Sequence, residues 1–179
     1  MGKGGGAVPN TAFVGASIPR QSRELLSRED LENVVAAVWR RRLGLSIHRL
    51  RGHAAAGSAV SANISLVGAG TAVAVLRAPF EVAAAAAVGV LGLHEDELAP
   101  GDVEDAFGEL VVAIAQGIGD LLPGASVVGP ASVVRGSELT TAVPGSPLMC
   151  DAALHCAPGP LHVSMWGRWP EGVLRTTPA

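Results

Sequence analysis

Soon after Ser27, apolar residues recur at helical spacing: Leu31, Val34, Val35, Val38 and Trp39. That rhythm predicts a helix with one buried stripe. Ser27-Arg28-Glu29-Asp30 ahead of it has the form of a capping box, in which a hydroxyl and a carboxylate three residues apart each accept from the other's free backbone N–H. Arg40, Arg41 and Arg42 before Gly44 suit the other end, with cations facing the negative pole of the helix and a glycine stop.

The period then changes to two. Ile47 opens a short strand run, and Val60, Ala62, Ile64 and Leu66 alternate with Ser61, Asn63 and Ser65. Gly68-Ala69-Gly70 turns the chain into a second strand from Thr71 to Arg77. An Ala-rich helix follows from Pro79 to about Leu91, its side chains small enough to lie flat on a sheet. An acidic loop, His94 to Glu97, leads to Pro100 and a third helix that begins near Asp102 and stops by Pro123-Gly124. The remainder reads as strands: Val127-Val128, Ser132 to Arg135, Leu139 to Val143, Leu148 to Cys156 and Leu161 to Trp166. Gly145-Ser146-Pro147 and Ala157-Pro158-Gly159-Pro160 supply turns between the last of them. Helix, strands, two helices and a β meander together predict an α+β domain, an antiparallel β-sheet with helices packed on one face. Residues 1–22 read as a flexible Gly-rich tail, 23–170 as the folded domain and 171–179 as a C-terminal tail.

Composition narrows the classes. With 49% apolar residues the 179-residue chain can bury a sizeable core, yet only 3% are aromatic. A core of Ala and Val is thin, and a homodimer partner would help it bury enough surface. A net charge of −3 with Lys3 as the only lysine excludes a basic nucleic-acid binder. Two cysteines do not make a disulfide scaffold and suit reduced thiols in a cytoplasm. Met1-Gly-Lys-Gly-Gly-Gly has no apolar run behind it and no Ser or Thr at position 6, so neither a signal peptide nor a myristoylation motif is expected. The uncharged stretch Gly52 to Leu76 is broken by serines and alternates, which favours a strand pair over a membrane span. Charge is segregated: nine of the thirteen Lys and Arg fall in residues 1–60, whereas Glu81 to Asp120 holds nine acidic residues and no basic one. That acidic stretch reads either as a solvated helix face or as a docking surface for a basic or metal-bearing partner.

Three candidate sites fail on inspection. Gly68 and Gly70 begin a G-x-G-x-x-G pattern, but residue 73 is Val and a strand follows, so the helix N-terminus that holds a pyrophosphate is missing. Cys150, His155, Cys156 and His162 invite a metal reading. On a strand, however, both cysteines share a face with Leu148, Ala152 and Leu154 while His155 points away, so small buried thiols are the better account and no metal site is expected. Trp166 and Trp169 read as caps on the open end of a core poor in aromatics rather than as partner anchors.

The third helix carries the specific signal. At roughly 100° per residue, Val103, Phe107, Leu110, Val111, Ile114 and Ile118 gather into a buried stripe. Asp105, Glu109, Val112, Gln116 and Asp120 gather on the opposite side, flanked by Gly108 and Gly119, which would let another backbone approach. Val112 is the exception, a β-branched apolar residue on an otherwise polar face.

Asp105-Ala-Phe-Gly-Glu109-Leu-Val-Val112-Ala-Ile-Ala-Gln-Gly resembles the signature helix of the CheC/CheX chemotaxis phosphatases, Asp-x-x-x-Glu-x-x-Asn with Gly before the Glu and Met-Ile-Ala-Gly after the Asn. The order of elements is similar too, and Pro130-Ala131-Ser132-Val133-Val134 matches the family's Pro-x-Ser-Val-Val before a β meander. The likeness runs from about Ser27 to Trp169, and a single signature helix looks like CheX more than CheC.

What the resemblance implies is dephosphorylation of a CheY-type response-regulator receiver domain. Water attacks the receiver's aspartyl phosphate in line, and the receiver itself carries the Mg2+, so the phosphatase needs no cofactor of its own. The family Glu pairs with the receiver's active-site Lys, and the Asn one turn on holds the attacking water. Both groups must leave one face of one rigid helix. Glu109 matches the Glu and Asp105 the Asp one turn earlier, whereas Val112 stands where the Asn belongs. A valine side chain has no donor or acceptor, and losing one positioned catalytic hydrogen bond costs roughly 10²–10³-fold in rate. The expectation is a cytoplasmic domain that docks a receiver with phosphatase activity weak or lost, Asp105, Gly108 and Val112 lining the contact beside Glu109. One alternative is an active phosphatase that uses the Gln116 amide, which lies about 6 Å further along the axis. The other is a structural self-association module built on Val112 and the acidic face.

Overall fold

The computed structural model describes residues 25–50, 59–124, 127–136 and 143–170. The first helix of the described residues is α1, Arg28–Leu43, and the capping box forms as its sequence implies. The Asp30 amide donates to Ser27 Oγ at 3.0 Å, and the Ser27 amide donates to the Asp30 carboxylate at 3.0 Å. Gly44 ends the helix in the left-handed region, φ 66°, where a side chain would be strained. Leu31, Val35 and Trp39 are its buried stripe.

Strands β1 (His48–Arg49), β2 (Ala59–Val67) and β3 (Thr71–Pro79) follow, then helix α2, Phe80–Leu91. A single 3-10 turn, Glu95–Glu97, leads into helix α3, Asp102–Gly119. Strands β4 (Val127–Gly136), β5 (Leu148–Cys156) and β6 (Gly159–Arg168) complete the order. All six strands form one sheet in the order β1-β5-β6-β3-β2-β4, every pairing antiparallel. The predicted α+β architecture therefore stands.

Strand parity places the core. Val60, Ala62, Ile64 and Leu66 of β2, Ala72, Ala74, Leu76 and Ala78 of β3, and Leu161, Val163 and Met165 of β6 are all buried on the face that the helices cover. The opposite face carries Ser61, Asn63, Ser65 and Thr71, so alternation in sequence has become two chemically different surfaces. Helix α1 lies against β5, while α3 lies across β4 and β2 with α2 beside it. Four buried alanines, Ala83, Ala84, Ala86 and Ala87, let α2 sit close.

Several boundaries differ from the sequence reading. Pro79 closes β3 and serves as the N-cap of α2 rather than its first residue. Val127-Val128 and Ser132 to Arg135 belong to one strand: Pro130, which has no N–H to give, lies in an edge strand beside an irregularity opposite Ile64 and Leu66. Of the expected strand Leu139 to Val143, residues 139–142 lie outside the described residues, and Val143 is not in a strand. The tails 1–22 and 171–179 also lie outside them. Leu148 was expected on the inner face with the cysteines. A register shift between Leu148 and Cys150 turns it outward, 46% exposed, and buries Met149 instead.

Candidate functional site

Helix α3 is the best amphipath of the fold. Val103, Ala106, Phe107, Leu110, Val111, Ile114 and Ile118 are buried, and Asp105, Glu109, Gln116 and Asp120 are exposed. Among the described residues none of these three carboxylates forms an ion pair, so the face presents free negative charge. Its N-terminus is less well tied than that of α1. The N-cap is Gly101, φ 101°, and no side chain accepts from the first turn. The Asp102 carboxylate instead accepts backwards from the Ala99 amide at 2.7 Å.

Taking Glu109 as the outward direction, Gly117 lies on one flank of α3 and faces Val34 of α1. Gly108, Val112 and Glu104 lie on the other flank, toward β4. Val112 is half-buried and packs against the margin of the core, which explains how an apolar residue is tolerated there. Gly108 requires a correction. It is buried, and a Cβ on it would meet Val133 Cγ2 at 3.4 Å and Ala131 Cβ at 3.9 Å. That flank is filled by side chains of the chain's own edge strand at ordinary contact distance. The structure thus brings Asp105, Glu109 and Gln116 together on one open face, with Val112 at its shoulder and Gly108 beneath.

A further group adjoins this face that sequence reasoning missed. Glu104, in the first turn of α3, receives Arg135 of β4 at 2.6 Å, and the Arg135 guanidinium lies 4.3 Å from the centre of the Phe80 ring. Nothing local in the sequence signals this trio. Glu104 and Arg135 meet only because β4 returns beside α3.

The discarded candidates are placed as follows. Gly68 and Gly70 make the β2–β3 turn, with the Gly68 amide donating to the Gly70 carbonyl at 2.9 Å. Burial pushes the Cys150 thiol up to about 12 and the Cys156 thiol up to about 11, so both stay protonated. His155 lies opposite His48 on the exposed sheet face. His162 lies 3.6 Å from Asp151, which Arg28 also contacts at 3.2 Å, and burial lowers the His162 pKa. Among the described residues no three His, Cys, Asp or Glu side chains gather as metal ligands. The tryptophans divide the expected roles. Trp169 is buried and donates to the Pro123 carbonyl at 3.0 Å, closing the core, whereas Trp166 is half-buried and donates to Ser164 Oγ at 2.9 Å.

No protein-family model matches the sequence, and no curated protein matches it. Solved structures do match. CheX from Vibrio vulnificus superposes with a TM-score of 0.68 at 16% identity, covering 82% of this chain and 98% of that one. The fold is that of the CheX/CheC chemotaxis proteins. CheX from Desulfovibrio desulfuricans gives 0.65 at 18% identity over 78% of this chain and 97% of its own. A chain of the CheX–CheY–BeF3–Mg2+ complex from Borrelia burgdorferi gives 0.62 at 17% identity, covering 78% and 96%. Each CheX chain is spanned almost completely, so the likeness to CheX covers the whole fold rather than one motif.

Proposed function

We propose that this CheX-like domain docks a phosphorylatable CheY-type receiver through the outward face of α3, with little or no phosphatase activity of its own. The observation that carries the reading is an exposed carboxylate without an ion-pair partner, Glu109, with a half-buried hydrocarbon, Val112, one turn further along. The CheX–CheY complex among the solved structures of this fold supports the choice of partner.

The chemistry assigns distinct tasks. Glu109, at the end of a rigid helix face, offers a carboxylate to a lysine ammonium on the receiver, and Asp105 one turn earlier adds negative charge that favours a basic partner surface. The receiver carries the divalent cation that offsets charge on its phosphoryl oxygens. Hydrolysis needs water in line with the phosphorus, the phosphorus–oxygen bond to aspartate breaking as phosphate leaves. Val112 has no atom to hold that water. Docking without efficient hydrolysis is the result. Among the described residues no helix is long and apolar enough to cross a membrane.

The test is a pair of measurements with a beryllofluoride-activated receiver and an acetyl-phosphate-charged one. Binding that Glu109→Ala weakens about tenfold or more, with phosphate release no faster than the receiver's own, is the expected pattern. Rapid release by the wild-type domain, lost in Glu109→Ala, would overturn the binder reading. Gln116 is exposed on the same face, which favours a second reading in which its amide holds the water. Under that reading Gln116→Ala removes an activity that the first reading says is absent. We also infer a homodimer, since a core of small residues gains from a second copy. Sedimentation of the wild-type and Val112→Asp proteins separates self-association through α3 from association elsewhere.

A further inference from the structure

The apolar stripe of α3 fixes which side of the helix meets the sheet, while the polar shoulder beside it lies outside that buried contact. The first turn has no capping side chain, and its N-cap is a glycine with positive φ. Asp105 lies in this turn and Glu109 follows one turn later, so the face proposed for docking starts where Val103, Ala106 and Phe107 hold the helix to the core but no capping side chain holds its end. One polar contact ties that turn sideways: Glu104 to Arg135 at 2.6 Å, with Arg135 laid over Phe80 at 4.3 Å from the ring centre. Phe80 begins α2, Arg135 lies near the end of β4, and Glu104 lies in α3, so a single guanidinium bridges three elements.

We propose that Arg135 is a positioning residue for the docking face, holding the N-terminal turns of α3 at one roll and height through Glu104. This inference rests on the receiver-docking reading. Its physical basis is the shape of the guanidinium. A planar fork can grip a carboxylate edge-on while its face rests on an aromatic ring, and a lysine ammonium cannot do both. The side chains of Arg135 and Glu104 are 46% and 27% exposed, so the pair adds little to overall stability while defining a geometry. Glu104 also keeps one buried carboxylate oxygen without a hydrogen-bond partner among the described residues. Removing Arg135 would take the partner from the other oxygen too, and with it the tie that this ion pair makes between the first turn of α3 and β4.

The experiment uses the full chain and the beryllofluoride-activated receiver as probe, with Arg135→Lys, Glu104→Gln and Glu109→Ala alone and in combination. Arg135→Lys should weaken binding about tenfold and speed amide exchange over residues 105–109 by a similar factor, with thermal stability nearly unchanged. Combined with Glu109→Ala it should cost little more, because the clamp acts through that carboxylate. Arg135→Lys with wild-type exchange over 105–109 would overturn the proposal. So would full additivity with Glu109→Ala, which is the signature of an independent structural role. If Arg135→Lys binds like wild type while Glu109→Ala does not, the clamp fails and the docking reading survives. If Glu109→Ala binds like wild type, the docking reading fails and takes the positioning role with it.

Discussion

Restoring a water-holding amide by Val112→Asn is the most direct test of how this helix works. Val112 is half-buried against the margin toward β4. Full burial of a valine contributes about 1.5–3 kcal/mol, so exchanging a half-buried one for asparagine puts about 1 kcal/mol of folding stability at stake. The two residues have similar helix propensity, so the backbone adds almost nothing to that cost. A domain of this kind has about 5–15 kcal/mol to lose, and it stays folded under assay conditions. A correctly placed water-orienting hydrogen bond is worth roughly 10²–10³ in rate, or about 2.7–4 kcal/mol of barrier. The kinetic gain should therefore exceed the folding loss severalfold. The assay is phosphate release from an acetyl-phosphate-charged receiver, with the variant, the wild type and Val112→Asn combined with Glu109→Ala. The variant should accelerate release by about two orders of magnitude over wild type, and the double variant should lose that gain. A Val112→Asn protein that binds the receiver with wild-type affinity yet releases phosphate no faster than the receiver alone would refute the reasoning, because Glu109 and residue 112 would then not address one reacting centre.

Three other outcomes follow from the fold. A Cβ on Gly70 would sit 2.5 Å from the Arg168 carbonyl oxygen and 2.8 Å from Trp169 Cα, backbone atoms that cannot swing aside. Gly70→Ala should therefore cost about 2 kcal/mol and lower Tm by roughly 6 °C in a thermal melt, and an unchanged Tm would disprove the jam. With Cys150 at about 12 and Cys156 at about 11, both thiols should resist alkylation at neutral pH until the protein unfolds, and rapid labelling of the native protein would contradict the burial of Cys156 and the half-burial of Cys150. Burial holds the His162 pKa below its ordinary value despite Asp151 at 3.6 Å. As pH falls below about 6.5 the unfolded chain takes up that proton before the folded one does, so stability should decline through that window. Denaturant unfolding of His162→Gln should show a shallower decline there, and an identical pH profile would remove His162 as its source.

Much of this molecule follows from short-range pattern. The capping box at Ser27 and the stop at Gly44 are local contacts, and both form as the residues predict. The buried stripe of α3 and the outward placement of Glu109 need only a 3.6-residue period and an apolar core to face. The hairpin of β2 and β3 needs only alternation and a glycine turn. In these cases the interacting groups lie a few residues apart, and their geometry is set once the backbone type is known.

Register and neighbourhood were decided elsewhere. A one-residue shift in β5 sends Leu148 outward and Met149 inward, a choice made by pairing with β6 rather than by hydrophobicity. Gly108 looked open because its own helix leaves that flank free, and it is closed by β4, which arrives some twenty residues later in the chain. Arg135 reaches Glu104 for the same reason. The amino-acid order by itself determined the faces of each element, since side-chain direction is a property of the local backbone. Which element would cover each face depended on the assembled sheet and its strand order, because contacts between distant segments exist only once the whole chain is folded.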